Sequence, residues 1–171
     1  MKSFRLSLFV ALFCIGIILA PTTPVTALDE TQLGNLSTNC ASIKVQLKTL
    51  QKTDSRMRVY LGSKYEIILT NFMTNLNLRL IKDDYADQEL AGLQTTFSSE
   101  RERFKSDFTA YSQSLESLIG IDCQSEPQKF YDQLEVVRTK RADVQASCDR
   151  MREVIDWHRS AVFKLWESLP S

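Results

Sequence analysis

Histidine, glycine and proline are scarce in this chain, and net charge is missing altogether. There is one His, five Gly and four Pro, and 21 basic residues balance 21 acidic ones over 171 positions. Zero net charge argues against a nucleic-acid partner, which would want a basic stripe. With His158 as the only imidazole, a Ser-His-Asp or Cys-His mechanism would have to run through it, and no nucleophile elbow accompanies it. A Gly-rich phosphate loop and a zinc-binding pair on a helix are also missing. The expectation is a protein that is not an enzyme, with no catalytic, cofactor-binding or metal residue. Three of the four Pro fall in the first 24 residues or the last two, so few helix breakers remain elsewhere. Such a composition reads as ordered and helical, and the length fits one domain.

What is present is a long apolar seam. Steps of four and three residues from Phe130 give Leu134, Val137, Arg141, Val144, Cys148, Met151, Ile155, His158, Val162, Leu165 and Leu169, apolar except at Arg141 and His158. A 3.5-residue repeat belongs to a helix lying lengthwise against other helices. A second seam runs Leu36, Cys40, Ile43, Leu47, Leu50, Asp54, Met57, Leu61, and on through Tyr65, Ile68, Phe72, Leu76 and Leu80 with slight drift. Its phase is unchanged across the polar stretch 52–56, so one continuous helix is the simpler reading, although Asp54 or Ser55 could cap a new one. At about 1.5 Å per residue it would be about 70 Å long. A third seam runs Leu90, Leu93, Phe97, Glu100, Phe104, Phe108, Tyr111, Leu115, Leu118.

The turns between the seams carry their own signals. Asp84 or Asp87 can cap the middle helix. Gly120 suits a left-handed helix end, and Ser125-Glu126-Pro127-Gln128 reads as a capping box. Helices over about 36–82, 87–119 and 126–168 joined by short turns must run up, down and up. The expected fold is all-α: an elongated antiparallel three-helix bundle or coiled coil.

The N-terminus is separate. Lys2 and Arg5 precede an apolar run from Leu6 to Ala20, then Pro21, Pro24 and Val25-Thr26-Ala27. This is the layout of a signal peptide over residues 1–27, cleaved after Ala27; retained, it would be a membrane anchor. Residues 28–35 read as a loose lead-in and residues 36–171 as the helical domain. Cleavage removes Lys2 and Arg5 and leaves 19 basic against 21 acidic residues. The expected location is extracytoplasmic: secreted, periplasmic or at the cell surface.

Cys14 leaves with the signal peptide. Counting register outward from the turns brings Cys40 near Cys123 and leaves Cys148 on the order of 50 Å from Cys40. The expected disulfide is Cys40–Cys123, with Cys148 a free thiol in the seam. The same register brings Glu100 and Arg141, both seam residues, within about one turn; they form a buried pair that fixes alignment, or both reach out to water. His158 is a pH switch or a half-exposed residue near a helix end. Asp83, Asp84 and Asp87 could attract Ca²⁺ but lack EF-hand spacing, and capping accounts for them. Asn35-Leu36-Ser37 matches a glycosylation sequon.

The stretches Ile43-Lys-Val-Gln-Leu-Lys-Thr-Leu-Gln-Lys, Arg58-Val-Tyr-Leu-Gly and Ile121-Asp-Cys-Gln-Ser-Glu-Pro-Gln-Lys-Phe-Tyr resemble a small family of exported helical proteins of reduced-genome candidate-phylum bacteria. The resemblance implies export and bacterial origin and assigns no activity to any residue.

Register also shows what does not overlap. The middle helix ends level with about Arg159, so Val162, Phe163, Leu165, Trp166 and Leu169 project beyond it. Large apolar side chains without a partner mark an interaction surface, unless they fold over the Asp83–Asp87 turn and pack on Tyr85. The leading expectation is therefore an exported interaction module binding an unidentified protein or a second copy of itself. A membrane-anchored coiled-coil spacer is the first alternative, requiring the N-terminal segment to be retained. An envelope enzyme or ligand carrier with a pocket between helices is the second.

Overall fold

The computed structural model describes residues 29–169. The expected signal peptide lies outside the described residues. Every regular element among them is helical: α1 (Glu30–Thr38), α2 (Cys40–Ile67), a π-helical segment (Ile68–Thr74), α3 (Asn75–Lys82), α4 (Gln88–Gly120) and α5 (Pro127–Ser168). The protein is all-α.

The expected lead-in is not loose. Asp29 accepts a hydrogen bond from the Gln32 amide at 2.7 Å, and the Gln32 side chain accepts from the Asp29 amide at 3.3 Å. This capping box starts α1. α1 buries no residue, so its sequence carries no apolar period to betray it. Asn39 then breaks the helix, its side-chain amide donating to the Asn35 carbonyl at 2.9 Å.

From Cys40 the backbone is helical as far as Lys82, and neither Asp54 nor Ser55 interrupts it. The expected seam fails at Met57, which is exposed, and shifts past Tyr65. Met73 and Asn77 are buried, whereas Phe72 is 63% exposed. The π-helical segment is the cause. Its turn is wider than an α turn and takes up one extra residue, shifting the buried face one position along. Thr74 marks the change: its hydroxyl donates to the Leu69 carbonyl five residues back at 2.8 Å.

The chain reverses over residues 83–87. The Tyr85 amide reaches the Leu80 carbonyl at 2.8 Å, and Asp84 sits at φ 59°, a left-handed conformation that a short polar side chain tolerates. Asp87 caps α4, accepting from the Leu90 amide at 2.9 Å. The far end of α4 departs from expectation: Gly120 is its last residue and is not left-handed, and the chain leaves through an extended Ile121. The Ser125 capping box is also absent. Glu126 holds the N-cap position without a side-chain capping bond, and the Ser125 hydroxyl instead donates to Asp122 at 2.8 Å. Asp122 also accepts from the Gln124 amide, so one carboxylate organises this turn by itself.

α4 is the centre of the molecule. It packs most extensively on α5 and also on α2 and the π-helical segment. Its Phe97, Phe104, Phe108, Tyr111, Leu115 and Leu118 are all buried. The Tyr65 ring stands edge-on to Phe97 and Phe104, and Tyr111 edge-on to Phe108, arrangements that add to the burial of the rings themselves.

Candidate functional site

Polar side chains join the helices at a few discrete places. Asp54 of α2 is buried and accepts from the Tyr111 hydroxyl of α4 at 2.6 Å; Arg141 of α5 approaches the same carboxylate oxygen at 3.4 Å. Burial and the neighbouring carboxylate both push the Tyr111 pKa upward, keeping the hydroxyl a donor. Glu100 is held instead by Arg150 at 2.8 Å. Arg150 also donates to Ser147 at 2.8 Å, and Ser147 donates to Asp107. The expected Glu100–Arg141 pair is thus not formed. Long helical side chains lean toward the helix N-terminus, so each arginine of α5 meets a partner below its own level. Arg141 reaches down to Asp54, and Arg150 reaches down to Glu100. Asp54, a charged residue at a seam position, carries the same sequence signal as Glu100 and Arg141, but nothing in the sequence names Tyr111 as its partner.

A third junction lies next to the π-helical segment. The Asn77 amide of α3 donates to the Gln94 side chain at 2.6 Å and the Leu90 carbonyl at 3.3 Å, while the Gln94 amide donates to Thr74 at 3.0 Å. These groups satisfy one another, as burial requires.

At the opposite end, Cys40 and Cys123 are joined with Cα atoms 5.5 Å apart. The Ser37 hydroxyl donates to the Gln124 carbonyl beside them at 3.2 Å. Cys148 is free and partly buried in a groove of about 560 Å³ between α2 and α5, whose floor is Phe104, Phe108 and Tyr111. Burial pushes its thiol pKa up, which keeps it protonated and poorly nucleophilic.

The end of α5 is built differently. Ala161 is still buried, Val162 and Leu165 are partly covered, and Phe163, Trp166 and Leu169 are exposed at 59%, 69% and 39%. Lys164 reaches Glu89 of α4 at 3.6 Å, the last cross-link before the helix runs free. Tyr85 is itself exposed. Between this end and the π-helical segment lies a groove of about 520 Å³, with Phe72 on one wall, Phe163 on the other and Arg79 and Arg159 at its margins. His158 also lines it. The imidazole is buried rather than half-exposed, its Nε2 has no hydrogen-bond partner, and burial pushes its pKa below the ordinary histidine value.

Among the described residues, no three His, Cys, Asp or Glu side chains come together as a metal site would need, and no helix is long and apolar enough to cross a membrane. The Asp83–Asp87 cluster is used for turning and capping. Comparison with family models, curated proteins and solved structures finds no match.

Proposed function

We propose that this protein is an exported, non-enzymatic interaction module: an elongated antiparallel three-helix bundle with coiled-coil packing that binds a protein partner through the free end of α5. The observation that carries the reading is the exposure of Phe163, Trp166 and Leu169 beside the groove that Phe72 and Phe163 flank. Aromatic side chains of this kind are the usual anchors of protein interfaces, and several together on a monomer are a liability unless something covers them. Val162 and Leu165 complete the apolar surface. The Cys40–Cys123 bond supports an oxidising, extracytoplasmic compartment. The likeness of the Ile43 and Ile121 stretches to exported helical proteins of bacteria supports export as well.

A second copy is the first partner to test. Sedimentation of the purified protein, followed by cross-linking in host envelope extracts, should reveal an assembly that Phe163→Ala/Trp166→Ala abolishes. The same double variant should leave the melting temperature of the monomer within a few degrees of the parent. A full-strength assembly in the double variant, or a large loss of melting temperature, refutes the reading: those side chains would then belong to the core.

A further inference from the structure

We propose that the outward face of α2 docks on an anionic lipid bilayer, with α2 lying along its surface. The chain's balanced charge conceals a local excess. α2 contains Lys44, Lys48, Lys52, Arg56, Arg58 and Lys64 against Asp54 and Glu66. Asp54 is buried toward α4, and Glu66 is taken by Arg101 of α4. Lys48, Lys52 and Arg56 are exposed and follow one another at steps of four, so they form a column with about 6 Å between members.

The column is unlike the surfaces of α4 and α5. Lys105, Lys129, Arg138, Arg152 and Arg159 each have an acidic partner three residues earlier on their own helix. Among the described residues, Lys48, Lys52 and Arg56 have no such partner. Like charges four apart repel, so the helix is less stable for carrying them. An anionic surface relieves that repulsion.

The chemistry between the cations selects the kind of surface. Thr49 and Thr53 donate their hydroxyls to the carbonyls of Val45 and Thr49 at 3.0 Å, and Ser55 donates to that of Gln51 at 2.7 Å. Those hydroxyls are spent on the helix itself. Val45 and Val59, 65% and 72% exposed, stand at the two ends of the column, with Tyr60 adjoining. The face therefore offers cations, aliphatic carbons and a tyrosine, and Arg56 is the one guanidinium fork in the column. A headgroup layer takes that combination: the cations meet anionic lipids, and the valines and tyrosine settle at the interface.

The test is co-sedimentation of the full chain with vesicles of pure phosphatidylcholine and of equal phosphatidylcholine and phosphatidylglycerol at low salt. The N-terminal segment would bind both through its apolar run, and Lys2 and Arg5 add a preference of their own for the anionic one, so the quantity read is the change in the ratio between them on substitution. Near-surface cations each strengthen attraction several-fold, so a ratio on the order of 100 is expected. It should fall steeply in Lys48→Gln/Lys52→Gln/Arg56→Gln and in 0.5 M salt, while circular dichroism shows helicity kept. Equal binding to the two vesicles overturns the proposal, as does an unchanged ratio in the triple variant. If single-stranded RNA or an acidic peptide binds this face while anionic vesicles do not, the proposal is also overturned, in favour of that polymer.

Discussion

α4 and α2 are helices of 33 and 28 residues, yet they hold to the molecule in different ways. α4 buries Leu90, Phe97, Phe104, Phe108, Tyr111, Leu115 and Leu118, a run of large side chains with neighbours on both sides. α2 buries Cys40, Leu47, Asp54 and Tyr65, and each is a different device: a disulfide, an aliphatic contact, a carboxylate hub and an edge-on ring. One helix is sealed along its length; the other is pinned at intervals, with an aromatic-floored groove left open toward α5. A helix in the middle of an assembly can be held by shape alone. An outer one, with fewer apolar neighbours, depends on specific points and keeps most of its circumference free.

Truncating one residue of each kind should expose the difference. Phe104→Ala removes a fully buried ring between α2 and α5 and should cost about 3–5 kcal/mol in chemical denaturation. Leu47→Ala, at the edge of the core, should cost about 2 kcal/mol or less. Equal losses would mean that α2 is sealed like α4.

The carboxylate pin comes next. Asp54→Ala leaves the Tyr111 hydroxyl buried without its acceptor and Arg141 without its partner, at a cost of about 1–3 kcal/mol. Asp54→Asn keeps an acceptor and should recover most of the loss. If both variants melt alike, the hydrogen bond is not what pins the helix.

The smallest effect is at His158. Its folded-state pKa is lowered by burial, so as pH falls below about 6.5 the unfolded chain takes up the proton first. The stability that the neutral imidazole contributes is present above that pH and is lost progressively below it. Melting temperatures at pH 8 and pH 5 should converge more in His158→Gln than in the parent; an identical difference would remove His158 from the account.

The sequence showed most clearly what repeated. α4 and α5 were legible within a residue or so at each end, because their apolar periods are long and Asp87 and Pro127 mark the starts. The disulfide was legible because register can be counted from two short turns. α1 was not, since a helix that buries nothing has no period. Polar partners were missed because counting Cα levels ignores the lean of long side chains, which moved Arg141 from Glu100 to Asp54. The shift after Tyr65 was read as drift, for Phe72 is the better core residue by composition and nothing local signals that the turn widens.

That widened turn gives the chain some slack. Tyr65 and Met73, consecutive buried positions, are separated by eight residues where a regular heptad would use seven. The chain between them is one residue longer than the span demands. A single residue could be spliced out of 68–74 and leave both flanking faces in place, the surplus being absorbed as ordinary α-helix. The same excision within α4 would turn everything beyond it by about 100°, carrying Tyr111 or Phe104 away from its neighbours. A change of length should therefore be tolerated at this one joint, where Phe72 is turned outward.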